Sequence, residues 1–197
     1  DSVQPYSSLY TSVLIQMQAV LRGEAPKQVL TGFRYIDRKG GLRAGDLDII
    51  AGRTSNGKTA FSMAIAMNVA SGGTPVGVFS MEMTNIEIAK RVVAMQAEVP
   101  CRQVDRPDSA QVLESVQTKA SPSIPLYFDG SNATTADAII GQMRMMSREL
   151  GCKVFVVDYL QQLTKPGADK RTIVSEASVA LKNAAKELGC TVIALSQ

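Results

Sequence analysis

Eight consecutive residues, Gly52-Arg53-Thr54-Ser55-Asn56-Gly57-Lys58-Thr59, fit the spacing G-x-x-x-x-G-K-[ST]. A loop of this kind can cradle phosphate. Its glycines let the chain wrap tightly, and the backbone N–H groups of Ser55, Asn56, Gly57 and Lys58 can turn inward. Lys58 offers a positive charge to the β and γ phosphates, and Thr59 offers a hydroxyl to Mg²⁺. The competing reading is a glycine-rich turn with an incidental lysine. The strand-like run before the loop and the helical pattern after it favour phosphate binding.

Three further positions have types suited to the same chemistry. Asp158 ends the apolar run Val154-Phe155-Val156-Val157. A carboxylate leaving the C-terminal edge of such a strand points toward a loop-bound ligand and can hold Mg²⁺, chiefly through its water shell. A cap or turn aspartate is the alternative. Glu82, just past Val76–Ser80, can orient and deprotonate an attacking water, or it is a solvated loop glutamate. The residues alone leave these two readings level. The same holds for Ser196-Gln197 at the end of the last apolar run, which either hydrogen-bonds near a γ-phosphate or frays into solvent.

These groups need a scaffold, and the pattern supplies one. Strands are expected at Leu47–Ala51, Val76–Ser80, Leu126–Phe128, Val154–Asp158 and Thr191–Ser196. Helices are expected from Lys58 to about Ala70, over 85–97 with Ile86, Ala89, Val93 and Ala97 on one face, and over 110–119. Two more carry Ile139, Met143, Met146 and Leu150, and Val174, Ala177, Leu181, Ala184 and Leu188. Thr134 and Asp137 suggest a capping box. Pro100–Ser109 reads as an irregular link, and Thr164–Thr172 as a polar interruption. Glu149-Leu150-Gly151-Cys152 and Glu187-Leu188-Gly189-Cys190 repeat one helix-to-strand junction, with glycine where a helix end needs positive φ. Near-continuous apolar strands alternating with helices indicate an α/β fold, a mostly parallel sheet covered on both faces. Residues 8–22, with Leu9, Val13, Met17 and Val20 at helical spacing, read as an amphipathic helix outside that core. It packs either on its own domain or on a neighbouring subunit.

The chain has 197 residues, enough for one sizeable domain with an attached arm, and 45% of them are apolar. A formal charge of +3 permits nucleic-acid contact without arguing for it. With no histidine and three cysteines lacking finger spacing, zinc sites are not indicated. Cys152 and Cys190 read as buried thiols, in keeping with a reducing compartment. No signal peptide or run of transmembrane length is present, so no membrane partner is expected.

From about Leu30 to Gln197 the sequence resembles the C-terminal, RecA-like motor domain of the DnaB-type replicative helicases. The matching pieces are Thr31-Gly32-Phe33 with Ile36-Asp37, Gly41-Leu42, Gly45-Asp46-Leu47, and GRTSNGKTAF at 52–61. They continue with Val78-Phe79-Ser80-Met81-Glu82-Met83, Val156-Val157-Asp158-Tyr159-Leu160-Gln161, and Ile193-Ala194-Leu195-Ser196-Gln197. Their order and spacing carry the resemblance. It implies a RecA-like P-loop NTPase core over 30–197, truncated at its C-terminal end, preceded by a linker helix and arm over 1–29. It implies ATP and Mg²⁺ as ligands, with Ser55, Asn56, Gly57, Lys58, Thr59, Ala60 and Arg91 at the nucleotide. Glu82 then resembles the catalytic base, Asp158 the second acidic metal residue, and Gln197 the γ-phosphate sensor. Lys165, Lys170 and Arg171 fall where the family contacts single-stranded DNA.

The resemblance further implies a homo-hexameric ring, with an arginine finger donated between subunits. Primase and a helicase loader would bind through regions outside this chain, in the cytoplasm of a bacterium or a phage-infected cell. The sequence departs from common family choices at Thr54 and Asn56 in the loop, at Gln162, and at Val179, where relatives usually carry arginine. The expected function is an ATP-dependent replicative helicase motor. The alternatives are a recombinase-like or clock-type ring or filament ATPase without unwinding, and a non-catalytic nucleotide-binding assembly module.

Overall fold

The computed structural model describes residues 4–24, 28–158, 160–164, 167 and 169–197. In chain order the elements are α1 (Tyr6–Leu21), α2 (Arg34–Arg38), β1 (Leu47–Ala51), α3 (Lys58–Ser71) and β2 (Val76–Ser80). Then come α4 (Asn85–Ala97), α5 (Cys101–Asp105), α6 (Ala110–Lys119), β3 (Leu126–Phe128), α7 (Ala136–Glu149) and β4 (Val154–Asp158). A 3-10 turn at Leu160–Gln162, α8 (Lys170–Leu188) and β5 (Thr191–Ser196) complete the chain.

The strands form one sheet in the order β1-β5-β4-β2-β3, and every pairing is parallel. Each parallel step requires a crossover, which the intervening helices supply. Alternation along β4 shows how the layers form. Phe155 and Val157 join Ile139, Met143, Ala177 and Leu181 in a core beneath α7 and α8. Val154 and Val156 join Met63, Ala66, Val69 and Ile88 in a second core beneath α3 and α4. The sheet is therefore covered on both faces, as the apolar runs of its central strands require.

Both repeated junctions close as expected. Gly151 (φ 69°) and Gly189 (φ 57°) lie in the left-handed region. Beyond them the N–H groups of Cys152 and Cys190 return to the carbonyls of Met146 and Ala185. Both thiols are buried and unpaired, and burial pushes each up to about 11.

Several local expectations are corrected. The helix start near 135 is capped by Thr135, whose Oγ1 accepts from the Ala138 N–H, and not by Thr134 with Asp137. The Thr134 carbonyl instead accepts from Thr164. The link at Pro100–Ser109 contains α5, which starts directly after Pro100, a residue with no N–H to lose at a helix entry. On α4 the buried seam is Ile88, Val92, Ala94 and Ala97, whereas Ile86 is exposed. Two apolar stripes run along that helix, and packing against α3 and α6 selects between them. The polar stretch ends earlier than its composition suggests, because Asp169 caps α8 through the N–H groups of Arg171 and Thr172. In α1 no residue is buried, including Leu9, Val13, Met17 and Val20.

Candidate active site

The strand register brings the predicted chemistry to one edge of the sheet. Ser80 pairs with Asp158, and Ala51 with Ser196. The carboxyl ends of β1, β2, β4 and β5 therefore lie level, and the residues leaving them meet at the start of α3. Gly57 is the N-cap of α3 with φ 78°, and no side chain caps the helix's first turn. Ser55 also holds a positive φ, 65°, which is uncommon for a residue with a side chain. The uncapped N–H groups and the positive end of the helix dipole suit an anion.

A cleft of about 280 Å³ opens there. Ser55, Gly57, Lys58, Thr59, Ala60, Glu82, Arg91, Asp158 and Gln197 line it, joined by Thr54 and Met83. Asn56 lies in the loop but not on the lining, and its N–H is donated to the Arg53 carbonyl. Lys58 Nζ donates to the carbonyls of Gly52 at 2.8 Å and Arg53 at 3.0 Å, which holds the ammonium against the loop.

At the floor of the cleft Thr59 Oγ1 donates to Asp158 Oδ2 at 2.7 Å. Asp158 is 2% exposed. Burial raises its pKa and the Glu82 carboxylate adds to that, while the Thr59 hydrogen bond, Lys58 and Arg91 oppose it. Among the described residues no group of three or more His, Cys, Asp or Glu is placed to hold a metal ion. A divalent cation at this point would have one hydroxyl and one carboxylate from the protein. That donor set fits Mg²⁺, which keeps waters and takes phosphate oxygens for the rest of its shell.

The loop carrying Glu82 is braced. The Met81 N–H donates to the Asp158 carbonyl at 2.8 Å. Ser80 Oγ accepts from the Met83 N–H and donates to the Met83 carbonyl, closing a four-residue turn around Glu82. Arg91 reaches the same cleft from α4, whose start is fixed by a complete capping box between Thr84 and Glu87. Ser80 and Met83 were not singled out from sequence as site residues. Their one available signal was a hydroxyl at the end of an apolar strand.

Of the basic residues expected at DNA, Lys170 and Arg171 do not line this cleft. Lys170 and Arg171 are exposed in the first turn of α8, whereas Lys165 lies outside the described residues.

Known proteins share this sequence pattern and this fold. The profile of the DnaB-like helicase C terminal domain matches residues 28–197. The replicative DNA helicase DnaB of a Synechocystis species is 33% identical over 203 aligned residues, covering 98% of this chain and 23% of that protein. The corresponding protein of Pasteurella multocida is 38% identical over 180, covering 86% of this chain and 38% of its own length. The chain thus spans well under half of these relatives. The structure of a DnaB-like replicative helicase, studied with its interactions with primase, superposes over 100% of this chain and 49% of its own, with TM-score 0.83 and 24% identity. The ATPase domain of G40P superposes over 95% of this chain and 70% of its own, with TM-score 0.84 and 25% identity. The fold is the RecA-like P-loop core, and the chain belongs to the DnaB-like helicase C-terminal domain family.

Proposed function

We propose that this chain is the ATPase motor domain of a replicative DNA helicase, working at the subunit interfaces of a homo-hexameric ring on single-stranded DNA. The observation that carries this reading is the Thr59–Asp158 hydrogen bond at the floor of a cleft also lined by Lys58, Glu82, Arg91 and Gln197. A simple binding module needs the loop and its lysine. It does not need a carboxylate placed beside the cation position and a second one lining the same cleft.

In this reading the loop N–H groups and Lys58 bind the β and γ phosphates. Mg²⁺, held by Thr59 and Asp158, would neutralise charge on the phosphate oxygens when bound. Glu82 orients a water and accepts its proton, held in place by the Ser80–Met83 turn. Arg91 adds positive charge on the α4 side, and Gln197 faces the γ-phosphate from the end of β5. Catalysis of phosphoryl transfer is chiefly positioning and charge stabilisation, and an arginine from the neighbouring subunit would complete it.

Lys170 and Arg171 offer cations to the DNA backbone. Their place supports this, because two cations in the first turn of a helix oppose its dipole. Residues 1–29 act as the linker helix and arm that reach the adjacent subunit. Primase and a loader would bind elsewhere in the full-length protein.

The test is ATP-driven unwinding of a forked duplex by the full-length protein. Lys58→Ala is expected to lose nucleotide binding and unwinding together. Glu82→Gln is expected to retain binding while turnover falls about 10²-fold or more. Unchanged turnover in Glu82→Gln would remove the proposed base. Turnover without unwinding would favour the ring or filament ATPase.

A further inference from the structure

The phosphate edge of the sheet is tied to the segment after β4 by one side chain with no role in the site described above. Gln161 lies in the 3-10 turn, three residues beyond Asp158. Its Nε2 donates to Ser196 Oγ at 2.9 Å and to the Gln197 carbonyl at 3.0 Å. The orientation of the amide follows from chemistry, since the Gln197 carbonyl can only accept. The other end of the amide, Oε1, is buried, and no hydrogen-bond partner reaches it among the described residues.

A buried acceptor without a donor is uncommon in native folds and calls for an explanation. Methionine would fill a similar volume without that penalty but would give up both donated hydrogen bonds, so the glutamine joins the turn to the strand end at the cost of one unpaired acceptor. The residues flanking it have clear structural roles. Leu160 and Leu163 are buried in the core beneath α7 and α8 and anchor the turn. Gln161 points the other way and bonds the strand end that carries Gln197. From the same turn the chain runs on to Lys170 and Arg171 at the head of α8.

We infer that Gln161 is a positioning residue that couples the γ-phosphate end of the cleft to the DNA-facing segment. It rests on the functional reading above. An amide bonded at one end only has a second arrangement open to it, with Oε1 taking a donor as the Ser196–Gln197 end shifts. Two discrete arrangements are what a coupling element requires. Movement of Gln197 with the γ-phosphate is thereby passed to the turn, and through the turn to the cations at the start of α8.

The experiment measures ATP turnover by the full-length protein across a range of ATP, with and without saturating oligodeoxythymidylate. Wild type is compared with Gln161→Met and Gln161→Glu, and each variant is melted thermally. Gln161→Met removes the unpaired acceptor and both donated hydrogen bonds, effects of opposite sign, so its melting midpoint should stay within a few degrees of wild type. The expected result is a KM for ATP within about twofold of wild type. Stimulation by DNA should fall about tenfold in both variants, in the range of ordinary coupling between sites. Stimulation unchanged in Gln161→Met overturns the proposal alone, as does a rise in KM that accounts for the whole loss. Wild-type protein with no DNA-stimulated turnover overturns the functional reading and, with it, the coupling.

Discussion

Asp158 is a carboxylate held where charge is costly. Burial raises its pKa above the ordinary value of 3.8, so folding favours its protonated form. Its contribution is fully present below that ordinary value and is lost as pH rises through the folded value, leaving a net penalty at neutral pH. Asp158→Asn keeps an acceptor for Thr59 and removes the charge. Its melting midpoint at pH 7 without nucleotide or metal is therefore expected to exceed that of wild type, with the gap narrowing toward acid pH. The stabilisation that Mg²⁺ and nucleotide confer on wild type should be lost in this variant, and a lower midpoint at pH 7 would contradict the account. At this scale the sequence was legible where chemistry is local. Lys58 and Thr59 belong to one motif, and Asp158 to one strand end. Ser80 and Gln161 were not legible as functional, because their partners are a backbone carbonyl and a strand end remote in sequence. Lys170 and Arg171 were recognised as a basic pair, but their helical setting depends on the Asp169 cap.

The strands and most helices follow from periodicity, and their failures are instructive. On α4 the residues at 86, 89, 93 and 97 and those at 88, 92 and 95 both make plausible stripes, and only contact with neighbouring helices chooses between them. Position 77 shows the opposite, a constraint invisible along the chain. Gly77 in β2 sits in register with Phe155 of β4. A Cβ added there would lie 2.7 Å from Phe155 Cδ1 and 3.0 Å from Met146 Cε. The ring is fully buried and has little room to move. Gly77→Ala is expected to destabilise the domain by about 1–3 kcal/mol, measured as a lower denaturant midpoint at unchanged slope. Thr84→Ala removes one half of the capping box on α4 and should cost about 1 kcal/mol. Because that helix carries Arg91 to the cleft, weaker nucleotide binding should accompany the loss.

For the molecule as a whole, the apolar residues left uncovered lie away from the two cores. Ile49 on the edge strand β1 is 52% exposed, and Tyr6, Tyr10, Val13, Ile15 and Met17 of α1 are exposed as well. Since α1 buries nothing, removing residues 1–24 should shift the melting midpoint by less than about 2 °C. The same deletion in the full-length protein is expected to weaken ring assembly, observable by sedimentation, if α1 reaches a neighbouring subunit. The isolated domain, kept monomeric by dilution, should bind nucleotide but hydrolyse it slowly, because the charge developing on the transferred phosphate would be stabilised from one side only. Fast turnover by a verified monomer would contradict a shared site.

By itself the sequence determined the order of the strands and of the longer helices, the phosphate loop and the class of fold. Those features depend on side-chain period, backbone preference and glycine placement within a few residues, all of which are local. The tertiary structure decided the strand order β1-β5-β4-β2-β3 and, through it, which residues meet. Thr59 and Asp158 are 99 positions apart in sequence, and Gln161 and Ser196 are 35 apart. Parallel pairing joins strands through crossovers, and no local pattern specifies which strand lies beside which. That choice is made by burying apolar faces on both sides of the sheet at once.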